Sequence, residues 1–438
     1  YNDVLLYWPV YDLWMGDGNQ ELRFPVHHTG WIEETDCGRA GHWMIRNGYT
    51  FDFVSDDQLE KTGFKQGILI TEGDSEYQTI LLPAATYMKH HTFQHLLELA
   101  KKGATVLVWK QLPEDVPGWF EHDSRKQKLM NLLKQLSFDS DGIAAVGGGK
   151  IVIHDDLDRL MGITGINREP IADTGLNFIR RKQGKDVNYF IANQTDKKID
   201  EWTGLSYPCS SAAIMDPMSG QTGIASVRKT ADQTEIYLQL EPGETRILKT
   251  FSDKEVEDDL WPVIEPLDEP LPVKGSWQVD FVEGGPVLPE SFNTDTLKCW
   301  TKLGDDEATR FAGAARYTTD VNVPGIAAEH WILDLGDVRE SARVWVNDQP
   351  VGVLVAHPFR IEVTDYLKTG KNELTLEVTN LSANRIRDLD SRDIEWKKFY
   401  DINFVNHDYE EYNAAEWDLK PSGLLGPVRL IPYKSVNI

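Results

Sequence analysis

A chain of 438 residues can hold roughly two to four domain cores, and an apolar fraction of 41% suits ordinary globular folding. Against 70 Asp and Glu there are 45 Lys and Arg, a formal net charge of −25 that repels polyanions and leaves no basic stripe for nucleic acid. Cys37, Cys209 and Cys299 stand in separate segments, which excludes a disulfide framework, and no apolar run approaches the roughly 18 residues of a membrane-crossing helix. At its start the chain has Tyr1 without Met, basic flank or apolar signal core, as expected of a cut through a longer polypeptide.

Up to about residue 155 the pattern alternates between strand and helix. Strands are predicted at Asp3 to Trp8, Phe51 to Val54, Gly67 to Ile70, Thr79 to Leu82 and Thr105 to Trp109. Helices are predicted at Asp57 to Lys61, His91 to Lys102 and Ser124 to Leu136, the second with Phe93, Leu96, Leu97 and Ala100 on one face. Near-continuous apolar strands separated by helices imply a small doubly wound α/β domain, with a parallel sheet covered on both faces. Pro9-Val10-Tyr11 follows the first strand where a glycine fingerprint would have to admit a pyrophosphate, which argues against a dinucleotide site. Glutamine-amidotransferase chemistry would need a Cys on the turn after the central strand, and Pro83-Ala84-Ala85-Thr86 supplies none.

Between Tyr11 and Tyr49 the connection is too long for an ordinary strand-to-helix loop. His27, His28, Trp31, Cys37, His42 and Trp43 fall in it, but their spacing is not a zinc pattern, and adjacent His27 and His28 cannot readily ligate one ion. Two readings stay open. It is a self-packed loop, or it leaves the carboxyl edge of the sheet and packs at a neighbouring active-site mouth, with His27, His28, Trp31, His42 and Trp43 as its candidate residues.

After the turn Gly147-Gly148-Gly149, short strands replace helices: Lys150 to His154, Leu176 to Arg181, Val187 to Ala192, Ser211 to Met215, Glu235 to Leu240 and Thr245 to Lys249. They predict a small β-sandwich over 156–251. Residues 252–274 are acidic and rich in Pro, including Pro262, Pro266, Pro270 and Pro272, and read as a semi-rigid connector. A third, all-β domain is expected over 275–438. In it, Trp331 to Val363 reads as four short strands, with Gly336-Asp337 as a turn and Asn347-Asp348 as the two residues best able to take positive φ in a tight hairpin.

From Asn384 to Asp418 the third domain is interrupted before its last strand. Arg385, Arg387, Asp388, Trp396, Tyr400, His407, Tyr409 and Trp417 are the candidate carbohydrate-binding residues here, because a sugar stacks its CH face on a ring and offers its hydroxyls to charged partners. The same oxygen-rich stretch could instead hold calcium, or be a solvated or interface excursion. All three readings stay open. A glycosidase needs two facing carboxylates, and a (β/α)8 barrel takes about 250 residues. Only residues 1–155 alternate suitably, so no barrel fits and no catalytic residue is assigned.

Trp331 to Val363, Asp365 to Leu374 and Ser422 to Val428 together resemble the jelly-roll, galactose-binding-like sugar-binding domain of family 2 glycoside hydrolases. The ILLPAATYM turn with the helix and the ATVLVW strand after it resembles the non-catalytic amidotransferase-like domain found behind the barrel of several glycoside hydrolases. NDVLLYWPVYD, FDFVSDDQL and NAAEWDLKPSGLLGPV extend the likeness over essentially the whole chain: it resembles the carboxyl-terminal region of family 106 glycoside hydrolases, the α-L-rhamnosidases. The resemblance implies a bacterial periplasmic or extracellular protein, a rhamnose-containing plant-type glycan as partner, and an inverting mechanism assisted by calcium. It also implies an amino-terminal barrel carrying the catalytic glutamates, and no position here corresponds to them. The expected role is an accessory region whose catalytic barrel lies outside this chain. A freestanding carbohydrate-binding protein is the alternative.

Overall fold

Every residue of the first strand, β1 (Val4–Tyr7), is buried, which requires a sheet covered on both faces. In the computed structural model of the chain, which describes residues 1–15, 29–231, 233–400, 404–406, 408 and 410–438, β1 pairs in parallel with β2 (Phe51–Val54) and β3 (Thr79–Leu82). β3 continues to β4 (Thr105–Trp109). An antiparallel edge strand, β5 (Ile143–Val146), turns through the glycine run into β6 (Gly149–His154), which lies parallel to β4. The order is β2-β1-β3-β4-β6-β5.

Side chains alternate along these strands and so feed two cores. Leu5, Tyr7, Ile80, Leu82, Val106 and Val108 meet Phe93, Leu96 and Ala100 of the helix His90–Lys102 on one face. On the other, Val4, Leu6, Leu81, Leu107 and Val152 meet Ala40 and Met44 of the helix Asp36–Arg46, with Leu157, Leu160 and Met161 of the helix Leu157–Gly162. The helix Asp56–Glu60 starts from a capping box in which Ser55 and Gln58 exchange bonds.

Two local expectations are corrected. Ile68–Ile70 is a strand, but it pairs with Gly63–Lys65 and Glu76–Tyr77 in a separate three-stranded antiparallel sheet. The two residues between the first pair, Gln66 and Gly67, have φ of 54° and 85°, and two left-handed residues in succession fold the chain back on itself. The stretch from Tyr11 to Tyr49 is not simply a loop, because Asp36–Arg46 is an amphipathic helix whose cap, the Thr35 hydroxyl, accepts from the Gly38 amide. Its buried Cys37, Ala40 and Met44 recur at helical spacing, a signal masked by the Gly, His and Trp residues around them.

By compactness the chain divides into residues 1–192, 201–238 and 245–259, and residues 193–200, 239–244 and 260–438. Within the first unit, Asn177–Gln183, Asp186–Ala192, Thr245–Phe251, Ser211–Met215 and Thr222–Ile224 form an antiparallel sheet in that order. A three-stranded sheet runs Ile199–Leu205, Thr234–Leu240 and Val227–Lys229. Thr234–Leu240 alternates buried and half-buried positions along its whole length, as a one-sided sheet requires.

The second unit holds a six-stranded antiparallel sheet ordered Phe292–Thr294, Trp277–Gly285, Ala312–Val323, Gly370–Thr379, Ser341–Val346 and Gln349–Leu354. Another sheet runs Ile264–Pro266, Arg429–Ser435, His330–Asp334 and Arg360–Glu362, with Leu271–Pro272 also on Arg429–Ser435. Trp277, Phe281, Tyr317, Val344 and Leu376 of the first sheet share one core with Trp331, Leu333 and Leu430 of the second. Within the proline-rich 252–274, Pro266 and Pro272 lie in these short added strands, where a residue without an N–H is tolerated. Asn347 and Asp348 take φ of 51° and 62° and close the hairpin between Ser341–Val346 and Gln349–Leu354. Asn347 also donates to the Tyr366 carbonyl and to Asn372 Oδ1, both at 2.9 Å, so the turn is fixed to the chain beside it.

Candidate functional site

In an open parallel sheet, ligands bind beyond the carboxyl ends of the strands where the strand order reverses. Here the reversal falls between β1 and β3, since β2 lies to one side of β1 and the later strands follow on the other. The short helix Val10–Trp14 follows β1, and the turn Pro83–Thr86 follows β3. Asp12 lies across the gap. Its carboxylate accepts the Thr86 amide at 3.0 and 2.9 Å and the Tyr87 amide at 2.9 Å. Successive backbone N–H groups of this kind are an anion-binding nest, and here the protein's own side chain fills it. Burial pushes the Asp12 carboxyl above its ordinary value, against the opposite pull of the two amides.

No activated thiol accompanies this turn. Cys37 is buried with its Sγ 3.7 Å from the Tyr7 carbonyl, and burial pushes the thiol up to about 12. Cys209 is raised to about 11 for the same reason. At neutral pH both are protonated and poor nucleophiles. Along the same edge, Tyr7 donates to Asp56 at 3.1 Å and the Thr92 hydroxyl lies 2.7 Å from Asp56, completing a buried polar chain under the helix Asp56–Glu60.

Of the residues expected at an active-site mouth, His27 and His28 lie outside the described residues. Trp31 is half-buried with its ring 6.5 Å from that of Trp8, and Trp43 stacks on Tyr49 at 5.6 Å and 13°. His42 is exposed on the helix Asp36–Arg46. These side chains are dispersed over the helix and its approaches.

Within the segment 384–418, His407 and Tyr409 also lie outside the described residues. The helix Ala383–Ser391 carries Arg385, Arg387 and Asp388. Asp388 accepts Arg385 at 2.7 Å and lies 3.8 and 3.5 Å from Arg310 and Arg392, while Arg387 donates to the Trp417 carbonyl at 2.6 Å. The Trp396 indole donates to Asp390 at 2.9 Å and holds that carboxyl below the usual range. Trp396, Phe404, Tyr412 and Trp417 touch in sequence, with centroids 5.3, 4.8 and 5.8 Å apart. Tyr400 stands exposed. The aromatic and charged residues thus form a small core for the segment, and Tyr400 is the candidate most open to a ligand.

Among the described residues no three of His, Cys, Asp and Glu gather closely enough to hold a metal ion. Asp388 and Asp390 are engaged by Arg385, Trp396 and the Ala415 amide. Among the described residues these two carboxylates are thus spent on the protein's own donors. Sequence reasoning missed Asp12. Its signal is the acidic residue in the first turn of Val10–Trp14, legible only once the Thr86 and Tyr87 amides are seen beside it.

Residues 37–226 match the family model of the family 106 glycoside hydrolases, described as alpha-L-rhamnosidase. Over 223 residues the chain is 30% identical to a protein of Formosa agariphila named "Putative beta-glucuronidase", covering 45% of this chain and 19% of that protein. A rhamnosidase from Novosphingobium sp. PP1Y has the same fold over 98% of this chain, with a TM-score of 0.68 at 22% identity. The chain spans 39% of that structure's length. By sequence across residues 37–226 this chain is similar to the family 106 glycoside hydrolases, the α-L-rhamnosidases, and across nearly its whole length it shares the fold of a rhamnosidase.

Proposed function

We propose that this chain is the accessory, non-catalytic region of an inverting α-L-rhamnosidase-type hydrolase, periplasmic or extracellular, acting on plant-type polysaccharide side chains. The unit ordered β2-β1-β3-β4-β6-β5 serves as an amidotransferase-like scaffold, and the sandwich of residues 275–438 serves as a jelly roll of the sugar-binding-domain type. Bond cleavage belongs to a barrel outside these residues.

One observation carries the reading. The strand-helix alternation of this chain is used up by an open sheet of six strands, whose switch point is plugged by Asp12 and whose nearby thiol, Cys37, is held protonated. A scaffold retained without chemistry has this character. Incubating the purified chain with an aryl α-L-rhamnoside tests it. The reading expects no release of the aryl alcohol above the buffer rate, and turnover at enzyme-like rates would refute it.

A further inference from the structure

β4 ends at Trp109, and the loop that follows leads over the carboxyl edge of the parallel sheet into the helix His122–Leu133. On this loop Trp119 is 88% exposed and Phe120 81% exposed. Water-exposed rings of this size are usually found on mobile chain, but this loop is firmly built. The Arg125 guanidinium donates to three of its carbonyls, Pro117 at 2.7 Å, Gly118 at 2.6 Å and Phe120 at 2.7 Å. Gly118 and Glu121 turn the chain with φ of 78° and 48°. Asp115 anchors the other side, 2.9 Å from His122 and 2.9 Å from Lys126. A half-buried arginine and two left-handed residues thus hold the loop that carries the two exposed aromatic rings, with the Trp119 ring also 6.0 Å from that of His122.

The size and the border of this patch indicate its occupant. Two such rings can cover about 150–250 Å² each, well short of the roughly 800 Å² per partner of a stable protein interface. Exposed Glu114, Glu121 and Asp123 share this stretch with the Arg125 guanidinium, 2.7 Å from the Phe120 carbonyl, and with His122, whose ring is 6.0 Å from that of Trp119, so the patch is an aromatic island in a polar surface of both charges. A pyranose fits that pattern, with one CH face to lay on a ring and hydroxyls to donate to the carboxylates. A polyuronate is disfavoured by the chain's net charge of −25. We propose that Trp119 and Phe120 form a stacking platform for a neutral saccharide chain. The assignment rests on the carbohydrate-active reading above and adds to it where a glycan is held and of which charge. Because the loop is ordered before binding, little further entropy is lost when the sugar docks.

The test is affinity electrophoresis of the full 438-residue chain in gels cast with a neutral α-L-rhamnose-containing polysaccharide or with polygalacturonate. Trp119→Ala, Phe120→Ala and Trp14→Ala are run beside it, the last removing another exposed ring, 58% accessible, outside the platform. All three positions are on the surface and leave the cores intact. The parent and Trp14→Ala should be retarded by the neutral polymer, with affinity about tenfold weaker in Trp119→Ala and Phe120→Ala and no retardation by polygalacturonate. Equal retardation of all four proteins overturns the platform while leaving the accessory-hydrolase reading intact, which fails only on turnover of the aryl rhamnoside. Absence of retardation of the parent also overturns it, as does preference for polygalacturonate. A dimer seen by sedimentation that dissolves in Trp119→Ala, without retardation by either polymer, overturns it in favour of a protein contact.

Discussion

The Arg180 guanidinium and the Glu169 carboxylate are both fully buried, 2.6 Å apart. Arg180 also contacts Asp3 and donates to Thr50 at 2.9 Å, with the Tyr1 and Tyr207 rings 5.5 and 5.1 Å from its guanidinium carbon. Glu169 in turn accepts the Ser206 amide at 2.9 Å and the Tyr189 hydroxyl at 3.1 Å. The cluster ties the entry to β1 to the strand Asn177–Gln183 and is satisfied on nearly every side.

Removing one partner leaves an uncompensated buried charge. Arg180→Met should therefore cost about 3–5 kcal/mol, read from urea unfolding at pH 7. The double variant Arg180→Met with Glu169→Gln should cost less than the sum of the singles, because each single already strands the other group. Simple additivity would mean that the two residues are not coupled as their geometry requires.

Asp12 has a pH signature. Its folded-state pKa is raised above 3.8 by burial, so its contribution to stability is fully present below the unfolded value and is lost as pH rises through the folded one. Asp12→Asn removes that titration. The stability of the parent relative to Asp12→Asn should fall between pH 4 and pH 7, as followed by urea midpoints at each pH. A rise over that window would show that the two backbone amides outweigh burial.

The thiols offer a simple chemical check. With Cys37 and Cys209 raised to about 12 and about 11, native protein at pH 7.5 should leave both unalkylated by iodoacetamide over a time in which urea-unfolded protein reacts fully. Rapid labelling of Cys37 in the native chain would point to an activated thiol beside the switch point and to chemistry there.

Trp396 and Tyr400 should separate cleanly. Trp396→Phe keeps a ring against Phe404 but loses the bond to Asp390, at a cost of about 0.5–1.5 kcal/mol. Tyr400→Ala, at an exposed position, should change stability by about 0.5 kcal/mol or less. Thermal unfolding of the two variants measures both, and a large cost for Tyr400→Ala would mean that its ring packs rather than faces solvent.

How much of this was legible beforehand depends on what each pattern encodes. β2 and β3 are readable to the residue for different reasons: Thr79–Leu82 is a fully buried, mostly apolar run stopped by Pro83, whereas Phe51–Val54 sets two Phe rings on either side of Asp52 and is stopped by Ser55, the cap of the next helix. Asn347-Asp348 likewise declared its hairpin through the two residue types that tolerate positive φ. The helix Asp36–Arg46 escaped notice because Gly38, Gly41 and the nearby His and Trp residues obscure a three-residue apolar stripe. Asp12 and Arg180 could not be foreseen at all. Their partners, Thr86 and Tyr87 for one and Asp3 and Glu169 for the other, are long-range neighbours or depend on them, and one-dimensional patterns do not encode such pairs. In the segment 384–418 the residue types were visible, but their mutual engagement, Trp396 with Asp390 and Arg387 with the Trp417 carbonyl, was not.

The most direct measurement is the release of aryl alcohol from an aryl α-L-rhamnoside by the purified chain, with and without added calcium. The account predicts a rate indistinguishable from buffer in both conditions, since cleavage is assigned to residues that this chain does not contain. Saturable turnover by the chain alone would contradict it.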